Sequence, residues 1–209
     1  MPYGKSVSIS NKKLSLQIKK GIPMAAPVKI DFDVLFEIDQ ISTDLKYACF
    51  QTILQNGQAV PLVVKISNQS HELLPDVYNL AFGPLNKKGK IDDKAEISHR
   101  DYSKVFSTIL FTALTYLKSN PNHYLGIDGS DNARAYFYYR AIQRNFKYLD
   151  QHFRMFGIKY FVRISRFGKT QYDNPFDFEE IMPYPFRISR EDKVSQDSMF
   201  NYFIFNLQS

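Results

Sequence analysis

Between Tyr102 and Leu117 the apolar side chains Tyr102, Val105, Phe106, Ile109, Leu110, Ala113, Leu114 and Leu117 recur at i, i+3, i+4 and i+7. That spacing puts them on one face of a helix. A helix with one apolar stripe needs a second layer to cover it, and the preceding residues supply one. Val28–Ile38 alternates Ile30, Phe32, Val34 and Phe36 with Asp31, Asp33 and Glu37, the period of a strand. Leu45–Leu54, Ala59–Ile66 and Leu74–Phe82 are further extended segments, the second entered through the turn pair Asn56-Gly57. Together they predict an antiparallel sheet. Ser98 reads as the N-cap of the helix, with Asp101 completing a capping box, and Asn120-Pro121 ends it.

After the helix, His123–Asp128 reads as a short strand and Gly129–Asn132 as a turn. A second helix is expected to run to about Phe153 on the stripe Ala135, Tyr138, Ile142, Phe146, Leu149 and Phe153. Ile158–Arg166 alternates as a strand, so this stretch predicts a βαβ-like unit, right-handed if its strands are parallel neighbours. Gln171–Pro185 reads as an acidic, proline-containing loop. Tyr184–Ser189 and Met199–Leu207 read as final strands, the second apolar on both faces and hence well covered. The predicted class is α+β, a mainly antiparallel sheet with two amphipathic helices packed on one face and a C-terminal βαβ-like unit. Residues 1–22 form a basic arm (Lys5, Lys12, Lys13, Lys19 and Lys20, no acid), 23–168 the core domain, and 169–209 a C-terminal extension with short strands.

Several function classes drop out on residue content. A single cysteine, Cys49, excludes an intramolecular disulfide and a zinc site built from several thiolates. His71, His99, His123 and His152 have none of the short spacings of metal ligands, so no metal and no cofactor are expected. The N-terminus lacks an apolar leader. Val105–Leu117, the longest apolar segment, holds four Ser/Thr and falls short of the ~20 residues of a membrane span. The expectation is a soluble cytoplasmic protein without a membrane partner.

The net charge is +6, and it is unevenly spread. Arg134–Lys169 carries nine basic residues against the single acid Asp150, whereas Asp31–Asp44 carries five acids and no base. On the second helix Arg140, Arg144, Lys147 and Arg154 step by three or four residues along one stripe. Two readings stand: a footprint for nucleic-acid phosphates, or a solvated face paired with the chain's own acids.

One constellation looks chemical. In Gly126-Ile127-Asp128-Gly129-Ser130-Asp131-Asn132-Ala133-Arg134 a strand ends, a Gly-Ser turn follows, and a helix opens with an arginine in its first turn. Free N–H groups at Gly129 and Ser130 and the fork of Arg134 suit a phosphate or carboxylate. The simpler reading is that Gly129 serves the turn, Ser130 or Asp128 caps the helix, and Arg134 pairs with a neighbouring aspartate. Asp101 and Lys104 at the start of the first helix, with Arg134, are the weaker candidates for a phosphodiesterase-like chemistry.

The runs Asp76–Gly83, Ile91-Asp92-Asp93, Asp101–Val105 and Gly129–Tyr138, in this order, resemble an uncharacterised, mostly Bacteroidetes family, domain of unknown function 6934. The resemblance spans about residues 45–166. Asp101, Lys104, Gly129, Ser130 and Arg134 match its pattern, while His99-Arg100 stands where the family has Asn-Gly, and Asp131 and Ala135 stand where it has threonines. The resemblance singles out residues without supplying a reaction. The expected function is binding of nucleic acid or a nucleotide or phosphate ligand through the basic stripe and the Gly-Ser turn, within a defence or toxin–antitoxin system. The alternatives are an accessory subunit docking on a larger protein through its Phe/Tyr-rich tail, and a phosphodiesterase-like nuclease.

Overall fold

The computed structural model describes residues 27–92, 95, 98–129, 131–164 and 176–208. The basic arm at 1–22 and the side chains of Ser130, Arg166 and Lys169 lie outside the described residues. Four strands open the chain: β1 (Ile38–Ile41), β2 (Tyr47–Ile53), β3 (Ala59–His71) and β4 (Leu74–Gly83). They are followed by helix α1 (Tyr102–Ser119), strand β5 (Tyr124–Asp128) and helices α2 (Asn132–Arg144) and α3 (Phe146–Leu149). Strands β6 (Phe153–Ile164), β7 (Phe176–Arg187) and β8 (Tyr202–Leu207) complete the chain. The described strands form one sheet in the order β1-β2-β3-β4-β5-β8-β6-β7. Every pairing is antiparallel except β4–β5. The class is α+β, as the patterning predicts.

Alternate strand residues divide the sheet into two faces. Phe50, Val64, Leu80, Leu125, Phe203 and Met155 meet Ile109 and Leu117 of α1 and Ala135 and Ile142 of α2 in one buried cluster. On the opposite face Leu74, Val77, Ile158, Tyr202 and Ile204 form a smaller cluster. Both long helices therefore cover the same face.

Four local expectations need correction. First, Val28–Ile38 is not a strand. Its first part lies across the helices as a strap, and its N–H groups reach side-chain oxygens instead of a neighbouring strand. Lys29, Asp31 and Phe36 donate to Ser103 Oγ, Ser107 Oγ and Thr108 Oγ1 of α1, each at 2.9 Å. A turn at Phe32–Val34 breaks the alternation and leaves Val34 exposed. Backbone donors need partners wherever they are found, and α1 supplies hydroxyls on the face turned away from the sheet.

Second, the second helix ends early. Asn145 separates α2 from α3, and β6 begins at Phe153. The buried amide of Asn145 accepts from Ile30 N–H at 2.8 Å and donates to Val28 O at 3.0 Å and Ala141 O at 2.8 Å. Residues 28–30 thus pair with a side chain as they would with a strand.

Third, the strands around α2, β5 and β6, are parallel but not neighbours, because β8 is inserted between them and runs antiparallel to both. The adjacent parallel pair is β4 and β5, joined through α1. Fourth, the second half of the expected loop Gln171–Pro185 is part of β7. Pro183 and Pro185 mask its strand character, and β7 is the outer strand, where a missing N–H is tolerated.

Candidate functional site

β4 and β5 pair through three residues only, Val77 with Tyr124, Tyr78 with Leu125 and Asn79 with Gly126. Past that point they part company. β4 runs on to Gly83 paired with β3, and β5 runs on to Asp128 paired with β8. The gap at the carboxyl ends of these parallel strands holds a cavity of about 1080 Å³. That is the end of a parallel pair at which open α/β sheets place ligands, and the size reaches the top of the ~300–1,000 Å³ usual for small-molecule sites.

The cavity passes from one face of the sheet to the other. On the helix side it is lined by Phe82 of β4, Val105 and Phe106 of α1, and Arg134, Phe137 and Tyr138 of α2. Edge-on contacts of Phe106 with Phe82 and Tyr138, centroids 5.9 and 6.2 Å apart, fix this aromatic wall. On the opposite side it is lined by His71, Asn79, Asp128, Tyr160 and Tyr202.

Gly129 is required by packing. A Cβ there would stand 2.6 Å from Cβ of Ala135, so only glycine lets β5 turn straight into α2. The cap of α2 is Asp131, neither Ser130 nor Asp128: its carboxylate accepts from Arg134 N–H at 2.8 Å. An anion at this helix start meets an aspartate already on the backbone donors. The cationic contact in the cavity is the Arg134 side chain, whose guanidinium carries five N–H donors.

The polar wall opposite is built in pairs. His71 Nδ1 accepts from Leu73 N–H at 3.1 Å, which puts the proton of the neutral ring on Nε2. Nε2 lies 3.4 Å from Tyr160 Oη, so the tyrosine oxygen accepts and its own hydrogen is left to the cavity. Burial and then the Asp128 carboxylate push the Tyr160 phenol above its ordinary pKa, keeping it a donor. Tyr202 donates to Asn79 Oδ1 at 3.1 Å. Its phenol is pushed up chiefly by burial, then by Tyr160 and Asp128.

The remaining predicted site residues separate. Asp101, expected inside the helix, is the N-cap of α1 and accepts from Lys104 N–H at 2.9 Å. Lys104 Nζ lies 4.7 Å from the centre of the Phe36 ring. Both border a shallow depression beside Phe36 and Ile53, not the cavity that holds Arg134. The three candidates for phosphodiesterase-like chemistry are not assembled into one centre.

Arg140, Arg144 and Lys147 are exposed on α2 and α3, and none pairs with a carboxylate among the described residues. Arg140 packs over Tyr136, 5.9 Å from its ring centre. Arg154 leaves the stripe. It sits on β6, with Nε donating to Leu207 O at 3.2 Å and Nη2 to Asn206 Oδ1 at 2.8 Å. Among the described residues no cluster of three or more metal-type ligands occurs, and no helix is long and apolar enough to cross a membrane.

Sequence reasoning singled out Gly129 and Arg134 and missed the polar wall. His71, Asn79, Tyr160 and Tyr202 come from β3, β4, β6 and β8, so no spacing ties them together. A family model described as Family of unknown function (DUF6934) matches residues 37–178. No curated protein and no solved structure matches the chain.

Proposed function

Because the chain belongs to this family of unknown function, its role has to be read from the cavity, and we propose that it binds a nucleotide-type ligand there. The observation that carries the reading is the placement of Arg134, in the first turn of α2, on the lining of a cavity of about 1080 Å³ with an aromatic wall. Arg134 is the partner for phosphate, since its planar fork matches two phosphate oxygens. Phe106, Phe137 and Tyr138 offer ring faces and edges to a planar group. The test is titration of the chain with nucleoside monophosphates by calorimetry, repeated on Arg134→Ala. The substitution is expected to weaken binding by about 1.5–3 kcal/mol, the value of a hydrogen bond to a charged group. Equal affinity in the variant rejects the assignment.

A second reading rests on a separate observation. The exposed Arg140, Arg144 and Lys147, without carboxylate partners among the described residues, suit the backbone of a nucleic acid. Three phosphate contacts give a log–log salt slope of about −2 to −3. The triple change Arg140→Glu, Arg144→Glu and Lys147→Glu is expected to abolish gel retardation of RNA or DNA while leaving the thermal midpoint nearly unchanged. Retardation that persists in the triple variant removes this reading.

A further inference from the structure

We infer that the wall opposite Arg134 is a specificity subsite that reads hydrogen-bond acceptors on the ligand's ring, so that an oxo-bearing base is preferred to an amino-bearing one. The inference rests on the nucleotide reading above and goes further, because it assigns the half of the cavity which that reading leaves unused.

Two groups carry it. Tyr160 Oη accepts from His71 Nε2, so its hydrogen is the free end of a chain that starts at Leu73 N–H. Asn79 Oδ1 is taken by the Tyr202 hydroxyl, while Asn79 Nδ2 makes no hydrogen bond among the described residues. Both side chains line the cavity on the same face of the sheet. Each therefore presents a donor, and each is fixed by a partner that occupies its acceptor. These two donors, set among apolar surfaces, favour an exocyclic carbonyl oxygen at the ring edge that meets them. They reject a ring edge that presents N–H₂, because donor then meets donor and both go unpaired.

The arrangement also assigns two positioning roles. His71 turns the Tyr160 hydrogen outward, and Tyr202 holds the Asn79 amide so that nitrogen, not oxygen, faces the ligand. Tyr202 is 5% exposed and lies over Gly126, so the amide it holds has a rigid support.

The experiment is calorimetric titration of the full chain with uridine and inosine monophosphates, cytidine and adenosine monophosphates, and ribose phosphate as the base-free probe. The oxo bases are expected to bind about tenfold more tightly than the amino bases. Tyr160→Phe should shrink that ratio without changing ribose phosphate affinity. Asn79→Asp keeps an acceptor for Tyr202 but turns the free donor into an acceptor, so it should reverse the ratio in favour of cytidine and adenosine. Thermal melts of both variants establish that they fold. Equal binding of all four nucleotides, or a ratio untouched by both substitutions, overturns the subsite while the phosphate reading stands. Failure of ribose phosphate and of every nucleotide to bind overturns both.

Discussion

Tyr202 lies over Gly126 so closely that a methyl group on the glycine would stand 2.0 Å from the ring. The same ring donates its hydroxyl to Asn79, the residue paired with Gly126 across β4 and β5. One aromatic side chain from the last strand therefore closes the base of the gap between two strands it follows by more than seventy residues. Gly126→Ala is expected to cost about 2–3 kcal/mol, as overpacking does. In a Tyr202→Ala background the same change should be nearly neutral. Additive costs in that double-mutant cycle, read from denaturant midpoints, would show that the ring and the glycine are not coupled.

The insertion of β8 between β5 and β6 makes the last residues part of the frame. Tyr202, Phe203, Ile204 and Phe205 are all buried. A chain ending at Ser198 takes one of two partners from each of β5 and β6 and leaves the core without Phe203 and Phe205. It is expected to lose cooperative thermal unfolding, followed by circular dichroism. A sharp transition in the shortened chain would show that β8 is dispensable.

The strap gives a graded pair of substitutions. Asn145→Ala removes three side-chain hydrogen bonds and leaves Ile30 N–H and Val28 O without partners. It should cost about 2–3 kcal/mol, while Ser107→Ala, which removes one acceptor, should cost about 1 kcal/mol. Hydrogen exchange at Ile30 should accelerate in the first variant only. Unchanged exchange at Ile30 would mean that the amide does not hold the strap.

Two histidines set the response to acid. His99 is buried and Thr52 Oγ1 lies 3.1 Å from its Nδ1. Burial holds its pKa below the ordinary value. His152 is lowered first by burial and then by the Lys118 ammonium. A depressed pKa means that the unfolded chain binds the proton more readily, so the contribution is complete above about pH 6.5 and declines as the pH falls toward the folded values. The thermal midpoint should drop between about pH 7 and pH 5, and His99→Gln should flatten part of that drop. A variant as pH-sensitive as the parent would assign the drop elsewhere.

What could be read from the chain follows from the range of the interactions. The stripe of α1 and the hairpins of β2, β3 and β4 are local patterns, and the residues themselves state them. The place of β8 depends on pairing with strands far back in the chain, which no window contains. Val28–Ile38 alternates like a strand because it covers apolar ground on the helices, and periodicity does not say what lies beneath it. The hydroxyls of Ser107 and Thr108 are the clue, since they occupy an otherwise apolar helix and need a donor nearby. Arg134 and Gly129 were legible because turn and helix start are adjacent in the sequence. His71 and Tyr160 stand 89 residues apart and meet only when the sheet is assembled.

The join between β4 and β5 has one more consequence. Four strands hang on each side of it, β1 to β4 on one and β5, β8, β6 and β7 on the other, bound like the leaves of a book along a spine three residues long. So short a spine resists pivoting far less than a full-length ladder does. What braces the leaves is the core beneath the helices, where Phe50, Val64 and Leu80 of one meet Leu125, Phe203 and Met155 of the other.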